Sequence, residues 1–263
     1  MMLAGFDRRD LGMLSNLFRM TLGDRYLGSA LGLIWAVLSP LMLMCIFTFV
    51  FTVVFPGRLP GRPGSLPYVI WLLSGYGPWL AISEGLSAAT TSVVGNAGVV
   101  KNIAFKSELL PMVGALMGLV PLVVAFAIIL ILQVVSGEMP GPGYLALPLI
   151  VALHILFVSG LGLFLGALNV FVRDTALALP NVLTVLLFAS PIFYPLSSYP
   201  DFVRPVLQFN PFYVIAECYR TAVVDGAMPS LWMICYLAVV GAAAVWAGLW
   251  WFRRLKSFFD TRL

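Results

Sequence analysis

Two ionisable side chains stand in stretches that are otherwise mostly apolar, and they are the residues best placed to do chemistry. They are Glu84 and His154. An ionisable group inside a membrane span is a functional candidate by default, and ion-coupled carriers use such groups to move protons or ions. Simpler alternatives exist for both residues. Glu84 fits an ordinary interfacial acid near the cytoplasmic end of a span, and His154 fits a hydrogen-bonded structural histidine.

The positions of the lysines exclude a phosphate loop in this chain. Such a loop requires GxxxxGK[ST], because backbone amides and one lysine must surround the phosphates. None of the three lysines, Lys101, Lys106 and Lys256, follows a glycine. If transport uses ATP, another subunit must hydrolyse it.

No other catalytic or metal-binding pattern stands out in the sequence. The three cysteines, Cys45, Cys218 and Cys235, have no zinc or redox spacing. Paired carboxylates and a nucleophile beside a base are also missing. The chain is therefore not expected to be an enzyme or to hold a metal or cofactor of its own.

The composition is that of an integral membrane protein. Of 263 residues, 61% are hydrophobic and 10% are charged, and the mean hydropathy is +1.02. Soluble domains carry about 25% charged residues. The apolar blocks are long and unbroken, which favours helical spans over the alternating pattern of a membrane barrel. A soluble enzyme, a disordered chain and a nucleic-acid-binding protein are excluded.

Runs of about 20 apolar residues predict six transmembrane helices in an all-α fold. They cover 31–55, 67–90, 109–135, 144–171, 177–195 and 230–252. The stretch 199–228 contains three prolines and is too polar to span, so two short broken helices are expected there, as a re-entrant outer segment. The predicted domains are a cytoplasmic segment 1–30, a transmembrane domain 31–255 and a cytoplasmic tail 256–263.

Basic residues orient these spans. With both termini inside, 11 of the 15 Lys and Arg residues fall in cytoplasmic segments and 4 in outer segments. This asymmetry agrees with the positive-inside rule. It predicts a multi-pass protein of the cytoplasmic (inner) membrane with both termini in the cytoplasm.

Residues 10–25 form a separate element before the first span. Leu11, Leu14, Phe18 and Leu22 recur at helical spacing, and Met13 and Leu17 widen the stripe. The pattern predicts an amphipathic helix that lies in the cytoplasmic membrane interface. A cytoplasmic helix that packs on a partner protein is the alternative.

Five segments, taken in chain order, resemble one protein family. They are RYLGSALGLIWAVLSPLMLMCIFTFVF (25–51), VVGNAGVVKNIAFKSELLP (93–111), FVRD (171–174), SPIFYP (190–195) and NPFYVIAECYR (210–220). In this order they resemble ABC type-2 transporter permeases that export polysaccharides such as O-antigen, capsular polysaccharide and teichoic acid.

The resemblance implies a set of partners and a direction of transport. The permease would form a homodimer with a second copy of itself and bind two copies of an ABC ATP-binding subunit, which would hold ATP and Mg. A lipid-linked polysaccharide would move outward through a channel between the two permeases. Periplasmic export proteins are implied as further partners.

Aromatic residues suit such a channel, because their faces stack on sugar rings without one fixed hydrogen-bond pattern. Trp35 and Phe49 are 14 residues apart, about four helical turns, so they share a face. The alternative for each aromatic is lipid contact or an interfacial belt. The predicted channel residues are Trp35, Phe47, Phe49, Phe51, Phe188, Phe193 and Tyr194.

Two further roles are expected, the first from the resemblance and the second from the charged residues that the outer segment carries close to the membrane. The segment 92–107 would form a short coupling helix that docks into the ATPase subunit, although a solvated loop is the alternative. Its predicted contact residues are Asn96, Val99, Val100, Lys101, Asn102, Ile103, Phe105 and Lys106. The re-entrant segment would be an outer gate, in which Glu217 and Arg220 could pair at i, i+3. The predicted gate residues are Tyr199, Asn210, Pro211, Tyr213, Glu217 and Arg220.

Three alternatives share parts of this pattern. An ABC type-2 permease for a drug, lipid or small glycolipid has the same topology and needs the same ATPase. An ion-coupled secondary carrier would require Glu84 or His154 and no ATPase. A membrane enzyme acting on lipid-linked sugars would need an acid–base set that the sequence does not offer.

Overall fold

The computed structural model describes residues 7–25, 28–32, 34–54, 65–102, 106–137, 139–259 and 262. At positions 8, 99, 101 and 102 only the backbone is described. The predicted coupling residues Ile103 and Phe105, and the side chains of Val99, Lys101 and Asn102, therefore lie outside the described part of the chain.

All regular elements among the described residues are helical, as the composition predicts. Short 3₁₀ turns, Pro142–Ala146 and Leu196–Ser198, lie before α7 and before α9, and α2 continues as a π-helix over Val50–Val54. The α-helices are α1 (Arg8–Asp24), α2 (Ile34–Phe49), α3 (Ser65–Gly95), α4 (Ala97–Asn102), α5 (Leu109–Met117), α6 (Leu119–Val135), α7 (Leu147–Phe171), α8 (Asp174–Ala189), α9 (Arg204–Leu207), α10 (Pro211–Val223) and α11 (Leu231–Lys256).

Four helical stretches of the described chain are long and apolar enough to cross a membrane. They match the first, third, fourth and sixth predicted spans: Ile34–Val54, Leu109–Val135, Pro142–Phe171 and Leu231–Lys256. The second predicted span corresponds to α3, whose 31 residues include several Gly, Ser and Pro. The fifth corresponds to α8, which has 16 residues, fewer than the about 20 that a span needs.

The predicted fifth span, 177–195, differs from the helix in its bounds. The helix α8 begins at Asp174 and ends at Ala189. Ser190 is extended, with φ −100° and ψ 146°, because the ring of Pro191 disfavours a helical conformation in the residue before it. The segment that follows is therefore a turn, and it carries Phe193.

The helix α3 is the centre of the bundle. It contacts α5, α6, α7 and α10, and buried residues lie on all its sides. A helix that is apolar all round belongs in a core. Pro78 lies inside α3, which neighbouring helices make tolerable in a membrane protein.

Small residues allow α3 and α5 to approach closely. A Cβ atom added to Gly114 of α5 would lie 2.4 Å from the Cα of Ala89, and one added to Gly118 would lie 2.2 Å from the carbonyl oxygen of Ala81. Gly85 of α3 also faces α5, with its would-be Cβ 2.9 Å from the oxygen of Ala115. Such small-xxx-small rows are the usual contact between membrane helices, where lipid removes the hydrophobic driving force.

The pair α7 and α11 packs in the same way. A Cβ atom on Gly160 would lie 2.3 Å from the backbone carbon of Ala244, and one on Gly248 would lie 2.3 Å from the oxygen of Gly160. Their backbones therefore touch directly, which joins the fourth and sixth predicted spans.

The first helix, α1, packs on α5. Asp7 and Asp10 form a capping box at its start, with 2.7 Å between the Asp7 nitrogen and the Asp10 carboxylate. The predicted helix is thus present, and Leu11 and Met13 of its apolar stripe are exposed on the chain. The half-buried residues of the stripe are Leu14, Leu17, Phe18 and Leu22.

Candidate functional site

A cluster of aromatic rings joins α2, α3 and the turn after α8. Phe193 lies at its centre, with its ring centroid 4.8 Å from those of both Phe47 and Phe51. Tyr76 of α3 lies 4.6 Å from Phe47. Ring pairs at these distances stabilise a fold beyond the area they bury. Phe51 and Phe193 are buried and Phe47 is half-buried, so these three predicted channel residues pack inside one copy of the chain.

The other four predicted channel residues are exposed on the surface of the chain. They are Trp35, Phe49, Phe188 and Tyr194. Phe188 and Tyr194 lie directly over the buried cluster, each with its ring centroid 5.7 Å from a buried ring. The exposed rings and the buried cluster therefore form two layers, and only the outer layer can meet another molecule.

A buried arginine fixes the turn after α8 to the neighbouring helices. The side chain of Arg220, on α10, is 2% exposed. It donates hydrogen bonds to the carbonyl oxygens of Pro191, at 3.0 Å, and of Ile192. It also pairs with Glu217 at 3.3 Å, as the i, i+3 spacing predicts, and lies 3.9 Å from the ring centre of Trp71. A planar guanidinium group can donate several hydrogen bonds in a fixed geometry and stack on an aromatic ring at the same time.

Gly75 leaves the space that the guanidinium group fills. A Cβ atom on Gly75 would lie 2.5 Å from Nη2 of Arg220. Gly75 therefore lets the guanidinium group of Arg220 pack directly against the backbone of α3. The predicted gate residues Pro211 and Tyr213 are half-buried on the same helix as Arg220.

Asn210 joins the start of α10 to the end of α8. Its side chain caps α10 by accepting a hydrogen bond from the backbone of Phe212 at 3.0 Å. Its Nδ2 atom donates to Oγ of Ser190 at 2.9 Å. The hydroxyl of Tyr199 donates to the carbonyl oxygen of Ser190 at 3.4 Å. Three of the six predicted gate residues, Asn210, Tyr199 and Arg220, thus bind the stretch 190–192.

The predicted coupling segment contains a short helix, α4, directly after α3. Asn96 stands between the two helices and donates from Nδ2 to the carbonyl oxygen of Ser92 at 2.8 Å. Val100 is half-buried and packs on a second hydrophobic cluster that includes Val93 and Phe252. The described part of the segment is therefore helical and partly packed on the bundle.

The end of this segment and the residue after it bind both ends of the chain. Nζ of Lys106 lies 2.6 Å from Oδ2 of Asp10, and this hydrogen bond holds the pKa of Asp10 below its ordinary value. Glu108, which is buried, pairs with Arg253 at 3.4 Å and with Lys256 at 3.1 Å. Sequence reasoning missed Glu108, because its partners lie 145 and 148 residues away. We call the end of the bundle that holds α1, α4 and the end of α11 the terminal end.

A polar cavity of about 680 Å³ opens at the terminal end between α1, α3 and α5. Arg25 and Glu84 line it, and they also line a smaller cavity of about 170 Å³ beside Trp35. These two residues form an ion pair, so Glu84 is an ion-paired acid, in line with the simpler sequence interpretation. The hydroxyl and amide groups on the α3 side of the larger cavity belong to Ser87, Thr91, Ser92 and Asn96.

His154 is buried and hydrogen-bonded, as the structural interpretation of this residue predicts. Its Nδ1 atom lies 3.2 Å from the hydroxyl of Tyr219 on α10. Within the described ranges, no group of three His, Cys, Asp or Glu residues could hold a metal ion. His154 therefore connects α7 to α10 through its hydrogen bond with Tyr219.

Comparison with known proteins identifies a family over most of the chain. The family profile "ABC-2 type transporter" matches residues 14–224. The matched range contains α2, the aromatic cluster, the coupling segment and Arg220.

Curated relatives cover nearly the whole chain. The O-antigen export system permease protein RfbA of Myxococcus xanthus is 27% identical over 253 residues, 95% of this chain and 92% of the relative. The protein of the same name from Klebsiella pneumoniae is 24% identical over 89% of this chain and 88% of its own length. The polysialic acid transport protein KpsM of Escherichia coli is 24% identical over 89% of each chain.

Proposed function

The chain belongs to the ABC-2 type transporter family, and from this premise we propose that it is the membrane permease of an ATP-driven polysaccharide exporter. Its cargo is a lipid-linked polysaccharide that moves outward across the inner membrane. The observation that carries the proposal is the end-to-end similarity to permeases for O-antigen and polysialic acid. Relatives that share a substrate class over their full length share more than a fold, which alone would not indicate function.

The proposed topology has six spans, with α3 and α8 as the second and fifth. The four long apolar helices support this topology. So does the distribution of charge, since 11 of the 15 basic residues fall in the segments assigned to the cytoplasmic side. The proposed domains remain 1–30, 31–255 and 256–263, with both termini in the cytoplasm. The terminal end of the bundle is then its cytoplasmic end, and α1 lies in the interface there.

The proposed assembly contains two copies of this chain and two ATP-binding subunits, which bind ATP and Mg. Two features of the chain support a need for a partner. It has no phosphate loop of its own, and α2 exposes most of its apolar side chains. A second copy against α2 and α8 would cover this surface and enclose a channel between them.

The exposed rings Trp35, Phe49, Phe188 and Tyr194 form the wall of that proposed channel. This proposal is supported by the positions of the four rings on α2, on α8 and in the turn after α8, outside the buried cluster. Aromatic faces let a sugar chain slide, because stacking does not fix one hydrogen-bond geometry. The buried cluster around Phe193 keeps the wall rigid from behind.

The polar cavity at the terminal end is the proposed cytoplasmic opening of this path. Hydroxyl, amide, carboxylate and guanidinium groups line it, and these groups bind sugar hydroxyls well. Asn96, the first of the coupling residues, lines the cavity, and residues 96–106 are proposed to dock on the ATPase. The outer gate is proposed for the stretch 199–223 at the opposite end.

A deletion strain tests the proposed function. Without this chain, the lipid-linked polymer should accumulate inside the cytoplasmic membrane and disappear from the cell surface. A plasmid-borne copy of the chain should restore the polymer to the cell surface. The measurement is glycan analysis of surface and spheroplast fractions. Unchanged surface glycan in the deletion strain would contradict the proposal. Altered export of a drug or a lipid, with normal surface glycan, would support the alternative permease function.

Purification tests the proposed assembly. The chain, extracted in mild detergent, should carry an ATP-binding subunit in equal amount. Transport by a chain that has no ATPase partner would indicate a secondary carrier instead.

A further inference from the structure

Three consecutive residues, 106–108, connect parts of the chain that are far apart in sequence. Lys106 pairs with Asp10 of α1, and Glu108 pairs with Arg253 and Lys256 at the end of α11. These residues lie at the end of the proposed coupling segment and lead into α5. Any movement of the coupling segment therefore reaches α1, the third span and the last span through this point.

The burial of Glu108 sets it apart from the other pairs at this end. Its side chain is 7% exposed, whereas those of Arg253 and Lys256 are 42% and 38% exposed. A buried carboxylate must be paired, since desolvation penalises its charge. An apolar residue could fill such a site with equal or better stability. A gain in stability therefore does not by itself account for the charge.

The end of α11 is held independently of Glu108. Phe252 and Phe259 are both buried, with ring centroids 5.2 Å apart, and Phe171 at the end of α7 lies 6.1 Å from Phe259. Gly160 and Gly248 also bring α7 and α11 into backbone contact. Arg253 and Lys256 thus project from a rigid pair of helices.

We infer that Glu108 is a positioning residue of the coupling machinery. By its bonds to Arg253 and Lys256, it fastens the start of α5 to the end of α11, so that a push on residues 96–106 moves the third and last spans together. Without these bonds, the same push reaches the third span but does not carry the last span with it. This inference rests on the proposed function, because it assumes that an ATPase pushes on the coupling segment.

The test measures the yield of transport per ATP hydrolysed. The complex of this chain with its ATPase subunit is reconstituted in vesicles, and glycan movement and ATP hydrolysis are recorded together. Glu108→Gln should assemble and hydrolyse ATP like the wild type, with glycan moved per ATP reduced at least about fivefold, the lower end of usual coupling energies. Asp174→Asn, which changes an exposed acid at the start of α8, should keep the wild-type yield.

A second variant covers the case in which Glu108→Gln does not assemble. The double variant Arg253→Gln, Lys256→Gln changes the two more exposed partners of Glu108. It should reduce the glycan moved per ATP by the same factor. Wild-type yield in an assembled Glu108→Gln complex, or in the double variant, would overturn the inference. If the wild-type complex itself moves no glycan, the proposed function fails instead, so the two failures are distinguishable.

Discussion

At the scale of single residues, Arg220 is the best-defined interaction in the chain. Its guanidinium group meets two backbone carbonyls, one carboxylate and one indole ring within a buried site. A buried charge needs such partners to be tolerated, although the buried Nε atom of Arg220 has no hydrogen-bond partner among the described residues. Arg220 therefore determines where the turn after α8 lies, and with it the position of Phe193.

A conservative change at Arg220 should be costly. Arg220→Lys keeps the charge but loses the planar fork and the stacking on Trp71. We expect an unfolding free energy lower by about 3 kcal/mol, as for a broken buried pair, and a reduced thermal unfolding temperature in detergent.

Arg204→Lys is the matched control for this prediction. Arg204 also donates to two carbonyls and pairs with a carboxylate, but its side chain is half exposed. Exposed pairs contribute about 1 kcal/mol or less. Equal losses in the two variants would argue against a special role for burial at Arg220.

At the scale of helices, small residues decide which elements touch. Gly114 and Gly118 on α5 fit against Ala81, Gly85 and Ala89 on α3. Both rows have the four-residue spacing typical of membrane helix contacts, so this contact could have been found in the sequence. The sequence could not show which helix each row packs against, since several helices carry small residues at the same spacing.

A single added methyl group tests this packing. In Gly114→Ala, the new Cβ would meet backbone atoms of Ala88 and Ala89, which cannot move aside locally. We expect a loss of about 1–3 kcal/mol, the usual cost of overpacking, seen as a lower thermal unfolding temperature. Gly95→Ala is the control, because no atom lies within 4 Å of its Cβ position. A fully stable Gly114→Ala protein would show that α3 and α5 can separate.

The outer segment can be tested as one element. Ser190 and Asn210 are bonded through their side chains and join the end of α8 to the start of α10. If this segment is the gate, a short thiol crosslinker between Ser190→Cys and Asn210→Cys should stop export while ATP binding and assembly continue. The single-cysteine variants, given the same reagent, should export normally. Export through a fully crosslinked protein would contradict a gate at this position.

At the scale of the whole molecule, ion pairs lie at both ends of the bundle. Ion pairs of Asp10, Glu84 and Glu108 gather at the terminal end, and Arg220 lies at the other. The terminal end is cytoplasmic in the proposed topology.

Thiol labelling in intact cells checks this orientation. In a protein whose exposed Cys45 and Cys235 are replaced by serine, Ser257→Cys should resist a membrane-impermeant reagent, and Asp201→Cys should react. Both positions are exposed on the chain. Labelling of position 257 from outside would reverse the proposed topology.

Local patterns in the sequence were enough for the class of fold and for most helices. Long apolar runs predict helices, since a membrane leaves no water for unpaired backbone groups. The prolines between 199 and 228 predicted the breaks that separate α9 and α10, and the i, i+3 spacing predicted the pair Glu217–Arg220. The end of α8 at Ala189 was also readable in principle, from Pro191.

Only the tertiary structure decided which predicted residues point inward and which outward. Phe51 and Phe193 are buried while Phe49 and Phe188 are exposed, although their sequence surroundings are equally apolar. In a membrane protein the lipid-facing and core-facing surfaces have similar hydrophobicity, so periodicity does not distinguish them. The same limit applies to Glu108, whose cations lie at the far end of the chain and meet it only because α5 and α11 both pack on α7.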